Sequence, residues 1–295
     1  MTRSPRLLLL ALSALLALSA SAHAAADAML RVMTYNLRHA NQQPREAWPL
    51  RRPLIRDVIR QAAPDVIGTQ EGVYSQLNDI ASDLPEYAWI GLGRDGGSRG
   101  EFMAVFYRKE RLEPLAFDHF WLSDTPDRMG SMTWGPQYAR MVTWVRFRDR
   151  QTGQEFFFWN THFDHEVQVA REKSAVLVRE RVAQLRSPLP VILVGDFNAP
   201  AGANPAYDAL VGDGYFQDTW TLAKERKNEG VGTFNGFGDA VNSTERIDWI
   251  LARGAVEVSS SAILTDRSGD LYPSDHYPVV AWLALPVVQP APTAR

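Results

Sequence analysis

Two polar residues follow a run of apolar ones in the segment LPVILVGDFNAP, residues 189–200. Val191 to Val194 has the composition of a strand buried on both faces, and Asp196 and Asn198 come directly after it. Residues two apart in an extended chain project to the same side, so a carboxylate and a carboxamide are predicted to face one place. Asp and Asn are also common turn residues, so this segment alone does not separate a site from the end of a strand.

The same arrangement recurs along the chain. Acidic, amide or imidazole side chains stand at or near one end of six otherwise apolar segments, namely Asn36, Glu71, His162, Asp196 with Asn198, Asp248, and Asp275 with His276. Turn formation explains Asn and Asp but not a glutamate and two histidines. Asp248 is predicted to lie inside an apolar strand, where a carboxylate must be paired, protonated or bound to a metal. One shared site explains the six occurrences better than six separate structural roles.

These residue types indicate a site for a hard cation. Carboxylates and amides without cysteine suit Mg²⁺, or Mn²⁺, better than zinc, and His162 with His165 lacks the H-E-x-x-H helix of many zinc enzymes. Magnesium beside a His–Asp pair is the chemistry of phosphate ester hydrolysis, in which the cation neutralises phosphate oxygens and a base activates water. A serine hydrolase is disfavoured because we recognise no G-x-S-x-G elbow and because Ser274 directly precedes Asp275 and is badly placed as a nucleophile.

The elements that must position these residues are predicted from hydrophobic periodicity. Strands are predicted at 30–37, 65–70, 87–92, 101–108, 139–147, 155–162, 191–195, 246–252 and 277–285. Residues 48–62 and 168–185 have helical spacing, and a third helix is predicted near 74–83. Many strands with a few long helices favour an α/β (α+β) fold of two packed sheets with helices outside. Residues 29–285 are predicted to form one domain, followed by a disordered tail at 286–295.

The first 26 residues have the pattern of an export signal. Arg3 and Arg6 precede an apolar run from Leu7 to Ala20, and small residues suited to cleavage follow. The run is short for a membrane span, so we expect a periplasmic or secreted protein without a stable span, with an uncleaved anchor as the alternative. No cysteine is present, which excludes a lipid-anchored bacterial lipoprotein and any disulfide framework.

The charge of the chain argues against broad attraction to nucleic acid. Arg3 and Arg6 are the only charged residues of the predicted signal, so its removal changes the formal net charge from −3 to −5. An acidic protein does not attract phosphate backbones over its whole surface, but this net charge is compatible with a local basic cleft. The sequence indicates no obligate protein partner.

Six motifs occur in a fixed order, MTYNLR, GTQE, NTH, GDFN, ID and SDH. In this order they resemble the endonuclease/exonuclease/phosphatase superfamily, which includes DNase I-like nucleases and nocturnin-type deadenylases, and the resemblance covers nearly all of residues 30–285. It implies a four-layer α/β/β/α sandwich and an exported Mg²⁺-dependent phosphoesterase. The substrate is left open between phosphodiesters and phosphomonoesters, in nucleic acids, nucleotides or small phosphorylated molecules. A catalytically silent ligand-binding module on the same fold is the alternative.

The resemblance also implies roles for individual residues. The metal is implied to lie at Glu71, Asn36 and Asp275, and the phosphate and attacking water at His162, Asp196, Asn198, Asp248 and His276. Asp248 is implied to orient the ring of His276, and the base is left open between Asp196 and His276. Arg38 stands where some members carry Asp, so we expect no second metal there and predict that Arg38 contacts substrate. Further substrate contacts are predicted at Arg140, Asp164, His165 and Glu101.

The loop at 91–101 contains GLGRDG, which matches G-x-G-x-x-G. A strand rather than a helix is predicted to follow it, so we expect no dinucleotide site there. We expect a mobile loop whose Arg94 and Arg99 are available to an anionic substrate. Trp134 and Phe237, in other glycine-containing loops, are expected to stack on a ring of the substrate.

Overall fold

The computed structural model describes residues 29–44, 46–238 and 244–286. The predicted signal peptide at 1–26 lies outside the described residues, as does all of the predicted tail except Pro286. Within the described ranges, every helix is too short or too polar to cross a lipid bilayer.

The described residues alternate between strands and helices. The strands are β1 (Leu30–Asn36), β2 (Val66–Val73), β3 (Tyr87–Ile90), β4 (Glu101–Arg108), β5 (Leu112–Trp121), β6 (Met141–Asp149), β7 (Glu155–His162), β8 (Val191–Asp196), β9 (Gln217–Asp218), β10 (Glu225–Lys227), β11 (Asp248–Arg253), β12 (Glu257–Ile263) and β13 (Val279–Ala284). The helices are α1 (Trp48–Ala62), α2 (Tyr74–Asp83), α3 (Gln168–Gln184), α4 (Pro205–Val211) and α5 (Thr219–Leu222), with a 3₁₀ turn at Gly236–Gly238. The nine predicted strands and three predicted helices are confirmed.

Two mixed sheets pack face to face. Their strand orders are β10-β12-β13-β1-β2-β4-β3 and β5-β6-β7-β8-β11-β9. The pairs β1–β2 and β7–β8 are parallel, and the polar residues at their carboxyl ends meet at one place. Between the sheets lies an apolar layer that includes Val32 and Val66 from one side and Phe158 and Val194 from the other.

Helices cover the outer face of each sheet. Ile55 of α1 packs with Met33 and Tyr35 of the first sheet, and Val178 of α3 packs with Leu193 of the second. The order of layers is therefore helix, sheet, sheet, helix, which confirms the predicted four-layer α/β/β/α sandwich.

A buried amide joins the two sheets just below the polar strand ends. Asn160 of β7 donates through Nδ2 to the carbonyl oxygens of Thr69 (2.8 Å) and Ala104 (2.9 Å), and its Oδ1 accepts from Gln70 Nε2 at 2.7 Å. The sheets can approach this closely because residue 68 is glycine, and a Cβ atom there would overlap the Asn160 amide. These bonds hold the two sheets in one relative position.

Candidate active site

A cavity of about 600 Å³ opens where the ends of the parallel strands meet. Ten of the thirteen side chains singled out in the sequence line it, and these are Arg38, Glu71, Glu101, Arg140, His162, His165, Asp196, Asn198, Asp275 and His276. The other three, Asn36, Asp164 and Asp248, are buried directly behind it. Each of these three is hydrogen-bonded to a residue of the lining. The predicted shared site is therefore one physical assembly.

Local backbone turns aim several of these side chains. Asn198 has a φ of 49°, so the expected extended geometry from Asp196 to Asn198 is wrong. The two residues instead form a turn in which the Asn198 amide N–H donates to Asp196 Oδ1 at 2.9 Å. Glu71 (φ 61°) lies in an irregularity of the β2–β4 pairing, and Arg38 has a φ of 52°. Left-handed conformations at non-glycine residues cost on the order of 1–3 kcal/mol each and are concentrated at functional sites.

The ring of His276 lies between two aspartates. Its Nδ1 is 2.9 Å from Asp248 Oδ2, and its Nε2 is 3.7 Å from Asp196 Oδ2. Asp248 is the first residue of β11 rather than an interior residue, a correction to the sequence-based expectation, and it pairs in register with Asp196 of β8. Burial alone would lower the pKa of His276, but the two carboxylates raise it well above its usual range. The ring is therefore a cation at neutral pH.

The pKa of Asp196 is also raised, but it remains close to neutral pH. Burial, and then the nearby carboxylate of Asp248, raise the pKa of Asp196 to about 7, although His276 and a hydrogen bond from Asn36 act to lower it. A carboxyl group that exchanges its proton near neutral pH has the property required of a general base.

The ring of His162 lies beside the amide of Asn198 and the carboxylate of Asp196. Asn198 Nδ2 donates to the carbonyl oxygen of Phe163 at 3.1 Å and lies 3.0 Å from His162 Nε2. His162 Nε2 is also 3.4 Å from Asp196 Oδ2, whereas the buried Nδ1 has no hydrogen-bond partner among the described residues. Burial holds the pKa of His162 well below its usual range, so the ring is neutral. The expected contact between His162 and phosphate stays a prediction.

Hard oxygen donors converge around Glu71. Asn36 Nδ2 donates to Glu71 Oε1 at 3.0 Å and to Asp196 Oδ2 at 2.9 Å, which ties the first sheet to the second. Glu71, His162 and Asp196 each offer one ligand atom within 4.8 Å of the others. Burial alone would raise the pKa of Glu71, but hydrogen bonds from His39 and Asn36 help to hold it well below its usual range. An ionised carboxylate beside further oxygens is the donor set that Mg²⁺ or Mn²⁺ prefers.

Arg38 lies between the two carboxylates that are predicted to bind the metal. Its Nη1 is 3.8 Å from Glu71 Oε2, and its Nε is 3.6 Å from Asp275 Oδ2. The guanidinium therefore partly neutralises this acidic corner of the cavity. Binding of metal by Glu71, Asn36 and Asp275 stays a prediction.

Comparison with known proteins agrees with this geometry. A family model described as the Endonuclease/Exonuclease/phosphatase family matches residues 33–276. The chain belongs to this family. The family and its structural relatives support a phosphoesterase function.

Two solved structures from Bacteroides thetaiotaomicron are similar to this family member. An endonuclease/exonuclease/phosphatase family protein is 38% identical with a TM-score of 0.82, covering 86% of this chain and 94% of that one. A mannosyl-6-phosphatase is 37% identical with a TM-score of 0.81, covering 86% of this chain and 99% of that one. Among curated proteins, an uncharacterized protein, L388, of Acanthamoeba polyphaga mimivirus is 32% identical over 160 residues. That alignment spans 51% of this chain and 59% of the relative.

Some residues of the family member's site carry no clear signal in the sequence. His39, Tyr138 and Phe234 line the cavity, but none of them stands at the end of a predicted strand. Tyr138 lies in a bend before β6, so its position two residues before Arg140 gives no periodic signal. His39 follows Arg38 in an irregular loop, and its position depends on distant contacts.

Arg51 of α1 organises the loops that carry Arg38 and Asp275. Its guanidinium is buried and donates to carbonyl oxygens at 2.6 to 3.3 Å, those of Glu46, Leu37, Arg38, His39 and Pro273. In the sequence, Arg51 is one of several arginines on a predicted amphipathic helix. The sequence pattern therefore does not distinguish it as a positioning residue.

Three loop residues expected to face the substrate do not line the cavity. Trp134 Nε1 donates to Asp124 at 2.7 Å, and the ring of Phe237 lies 5.8 Å from the guanidinium carbon of Arg51. Arg99 Nη2 donates to a backbone carbonyl of its own loop at 2.9 Å. Arg94 does line the cavity, as expected.

The serine chemistry that was disfavoured has no support in the structure. Ser274 is fully buried, and its Oγ donates to the Asn36 carbonyl oxygen at 2.7 Å. Residues 96–100 do have G-x-S-x-G spacing, but they lead into strand β4 rather than a helix, and Ser98 is exposed. Neither serine is placed beside the Asp248–His276 pair as a nucleophile.

Proposed function

We propose that this protein is a divalent-metal-dependent phosphatase that hydrolyses phosphate monoesters of small polar molecules, with Mg²⁺ or Mn²⁺ as the cation. The observation that carries the proposal is that Asp196, His276 and Glu71 meet at one cavity, where His276 Nδ1 is 2.9 Å from Asp248 Oδ2 and His276 Nε2 is 3.7 Å from Asp196 Oδ2. A base, a cation and a carboxylate for metal are the groups that attack of water on phosphate requires.

Different residues of the site would bind the metal, accept the proton and stabilise the phosphate. Glu71, Asn36 and Asp275 would hold the metal, which supplies positive charge to the phosphate oxygens when bound. Asp196 takes the proton from the attacking water, because its pKa lies near neutrality. As the new bond to phosphorus forms, the bond to the leaving oxygen breaks, and that oxygen takes up a proton from solvent. The imidazolium of His276, oriented by Asp248, donates a hydrogen bond to the phosphate and stabilises the charge that develops there.

Neighbouring polar groups hold the phosphate in place. Asn198 and neutral His162 lie beside Asp196, and Arg140 is buried in the wall of the same cavity. Nη1 of Arg140 is buried and has no hydrogen-bond partner among the described residues. A phosphate oxygen would satisfy this donor, which supports phosphate binding by Arg140.

A monoester is favoured over nucleic acid on two grounds. The chain is acidic overall, with 34 Asp and Glu against 31 Lys and Arg, and so lacks the charge balance of a protein that binds nucleic acid broadly. The chain is also 37% identical to a mannosyl-6-phosphatase across 99% of that protein. A small phosphorylated molecule is the substrate class that fits both.

The test is a panel of substrates assayed with Mg²⁺, with Mn²⁺ and with EDTA. We expect turnover of hexose phosphates and nucleoside monophosphates that EDTA abolishes, with slower turnover of bis(p-nitrophenyl) phosphate, DNA and RNA. Asp196→Asn is expected to be inactive. Asp213→Asn, which alters an exposed carboxylate paired with Arg179, is the matched active control. Turnover that survives EDTA, or faster hydrolysis of diesters, would reject the proposal.

We also propose that residues 1–26 direct export and are removed. The support is the basic, apolar and small-residue pattern of that segment. Intact-mass measurement of protein from the periplasm and medium of an expressing bacterium tests it. A full-length mass in the cytoplasmic fraction alone would contradict export.

A further inference from the structure

We propose that a set of cavity residues, Arg94, Glu101, Tyr138 and His165, binds the hydroxyl groups of the substrate's leaving group, and that this leaving-group subsite selects polyhydroxylated phosphomonoesters. The proposal rests on the phosphatase function proposed above. It adds which part of the substrate is recognised, and by which residues.

The four residues form a connected wall of the cavity. Arg94 Nη1 is 2.6 Å from Glu101 Oε2, and the guanidinium carbon of Arg94 lies 4.6 Å from the centre of the Tyr138 ring. The Tyr138 ring in turn stacks on His165 at 6.2 Å. Glu101 and Arg94 are largely buried, whereas Tyr138 is exposed. The wall therefore presents a fixed polar pair beside an open aromatic ring.

This wall joins the reacting centre at two points. Glu101 Oε1 is 3.9 Å from His39 Nδ1, and the same His39 atom is 3.2 Å from Glu71 Oε2. At the other end, Nη2 of Arg140 is 2.9 Å from His165 Nδ1. A group attached to a phosphate at the reacting centre would therefore lie against the subsite.

The hydrogen-bonding capacity of the wall matches a hydroxyl group. Nε of Arg94 is a buried donor that has no partner within the described ranges, and Glu101 supplies carboxylate acceptors beside it. A hydroxyl can accept from the guanidinium and donate to the carboxylate at the same time. Buried donors left unpaired cost free energy, so an incoming oxygen atom is favoured there.

The charges favour a neutral group over a second phosphate. Arg94 is paired with Glu101, Arg38 faces two carboxylates, and the free donor of Arg140 is taken by the reacting phosphate. A second anion would meet arginines that are already neutralised and would also face the carboxylate of Glu101. A sugar hydroxyl meets no such repulsion.

The backbone holds the subsite in place. The Arg94 amide donates to the Glu101 carbonyl oxygen at 2.9 Å, and Trp121 Nε1 donates to the Arg94 carbonyl oxygen at 2.7 Å. A Cβ atom at Gly93 would overlap the backbone of Arg99, so the base of this loop requires glycine. The Arg94–Glu101 pair is therefore preorganised for ligand rather than assembled by it.

The experiment compares two substrates that differ only in the leaving group, mannose 6-phosphate and p-nitrophenyl phosphate. Glu101→Gln keeps the shape of the side chain and removes its charge. We expect its kcat/KM for mannose 6-phosphate to fall about 10- to 100-fold, mainly through KM, the range for loss of a hydrogen bond to a charged group. We expect kcat/KM for p-nitrophenyl phosphate and the Mg²⁺ concentration for half-maximal activity to change less than about threefold.

Two further measurements keep the result interpretable. Glu229→Gln, at an exposed glutamate paired with Arg226, is the matched control and is expected to behave like the wild type. Arg94→Gln is a second subsite variant, and we expect it to lower kcat/KM for mannose 6-phosphate much more than kcat/KM for p-nitrophenyl phosphate. Circular dichroism checks that each variant is folded. Calorimetric binding of free mannose with inorganic phosphate, present in the wild type and lost in Glu101→Gln, measures the subsite without turnover.

Equal losses for both substrates in folded Glu101→Gln and Arg94→Gln would overturn the subsite, as would unchanged kinetics on mannose 6-phosphate. If the wild type hydrolyses no phosphomonoester, the proposed function fails instead, and the sugar-binding measurement still decides whether the subsite exists.

Discussion

Asp248→Asn removes the charge that keeps His276 protonated while preserving the shape of the side chain. Asp248 Oδ2 lies 2.9 Å from Nδ1 of the ring. Two unit charges about 4 Å apart interact by about 4 kcal/mol at an effective dielectric constant of about 20. Because the charge of Asp248 raises the pKa of His276, this pKa is expected to fall in the variant.

The substitution also acts on Asp196, whose pKa is raised in part by the charge of Asp248. In the wild type, kcat/KM is expected to rise as Asp196 loses its proton and to fall at alkaline pH as His276 loses its own. In Asp248→Asn both limbs of the profile are expected to move to lower pH. At the wild-type optimum, kcat is expected to fall about 10²- to 10⁴-fold, the usual contribution of a positioned acid–base group.

The assays are initial rates across the pH range and NMR titration of the His276 ring in labelled protein. Asp213→Asn, which removes an exposed carboxylate, serves as the control for charge change alone. An unmoved His276 titration together with an unchanged alkaline limb would refute the assignment of His276 as a cation held by Asp248.

Four other outcomes follow from the same contacts. Glu71→Gln is expected to raise the Mg²⁺ concentration for half-maximal activity more than about tenfold, measured by metal titration of the rate. Arg51→Lys loses the guanidinium fork, and Asn160→Ala loses the hydrogen bonds between the sheets. Each substitution is expected to lower the free energy of unfolding by about 2–4 kcal/mol, measured by urea denaturation. Unchanged urea midpoints would contradict these two expectations. The folded-state pKa of Asp196 is raised above its unfolded value, so the stability of metal-free protein is expected to fall as pH rises from about 4 to 7. The melting temperature of the wild type is expected to fall over this pH range, and the fall is expected to be smaller in Asp196→Asn.

The reacting groups were easier to predict from the sequence than the cavity around them. Asp196, Glu71 and His276 follow or precede strongly apolar strands, so a polar side chain there conflicts visibly with the local pattern. Tyr138 and His39 lie in irregular segments, where position depends on contacts far away in the chain. The buried Arg51 was hidden for another reason, because a helix with many arginines gives no sign of which one turns inward.

The fold shows the same division between regular and irregular patterns. Strands with continuous apolar runs, such as β8, were predicted. β5 was missed because its centre is exposed and it contains Pro114 and Asp118. β12 was missed because its sequence EVSSSAI is rich in serine, a residue that is uncommon in predicted strands. The direction of the Asn198 backbone also escaped prediction, since a left-handed residue there is set by its turn with Asp196.

The Asn160 bridge has a consequence for when this protein becomes an enzyme. Asn36 and Glu71 come from one sheet and Asp196 and Asp248 from the other, so neither half of the chain contains a working set of groups. The set exists only after the sheets have closed on each other and the bridge has formed. Activity therefore requires the completely folded protein, and a newly made or partly folded chain does not hydrolyse phosphate esters. Loss of activity in denaturant is expected to coincide with loss of tertiary structure.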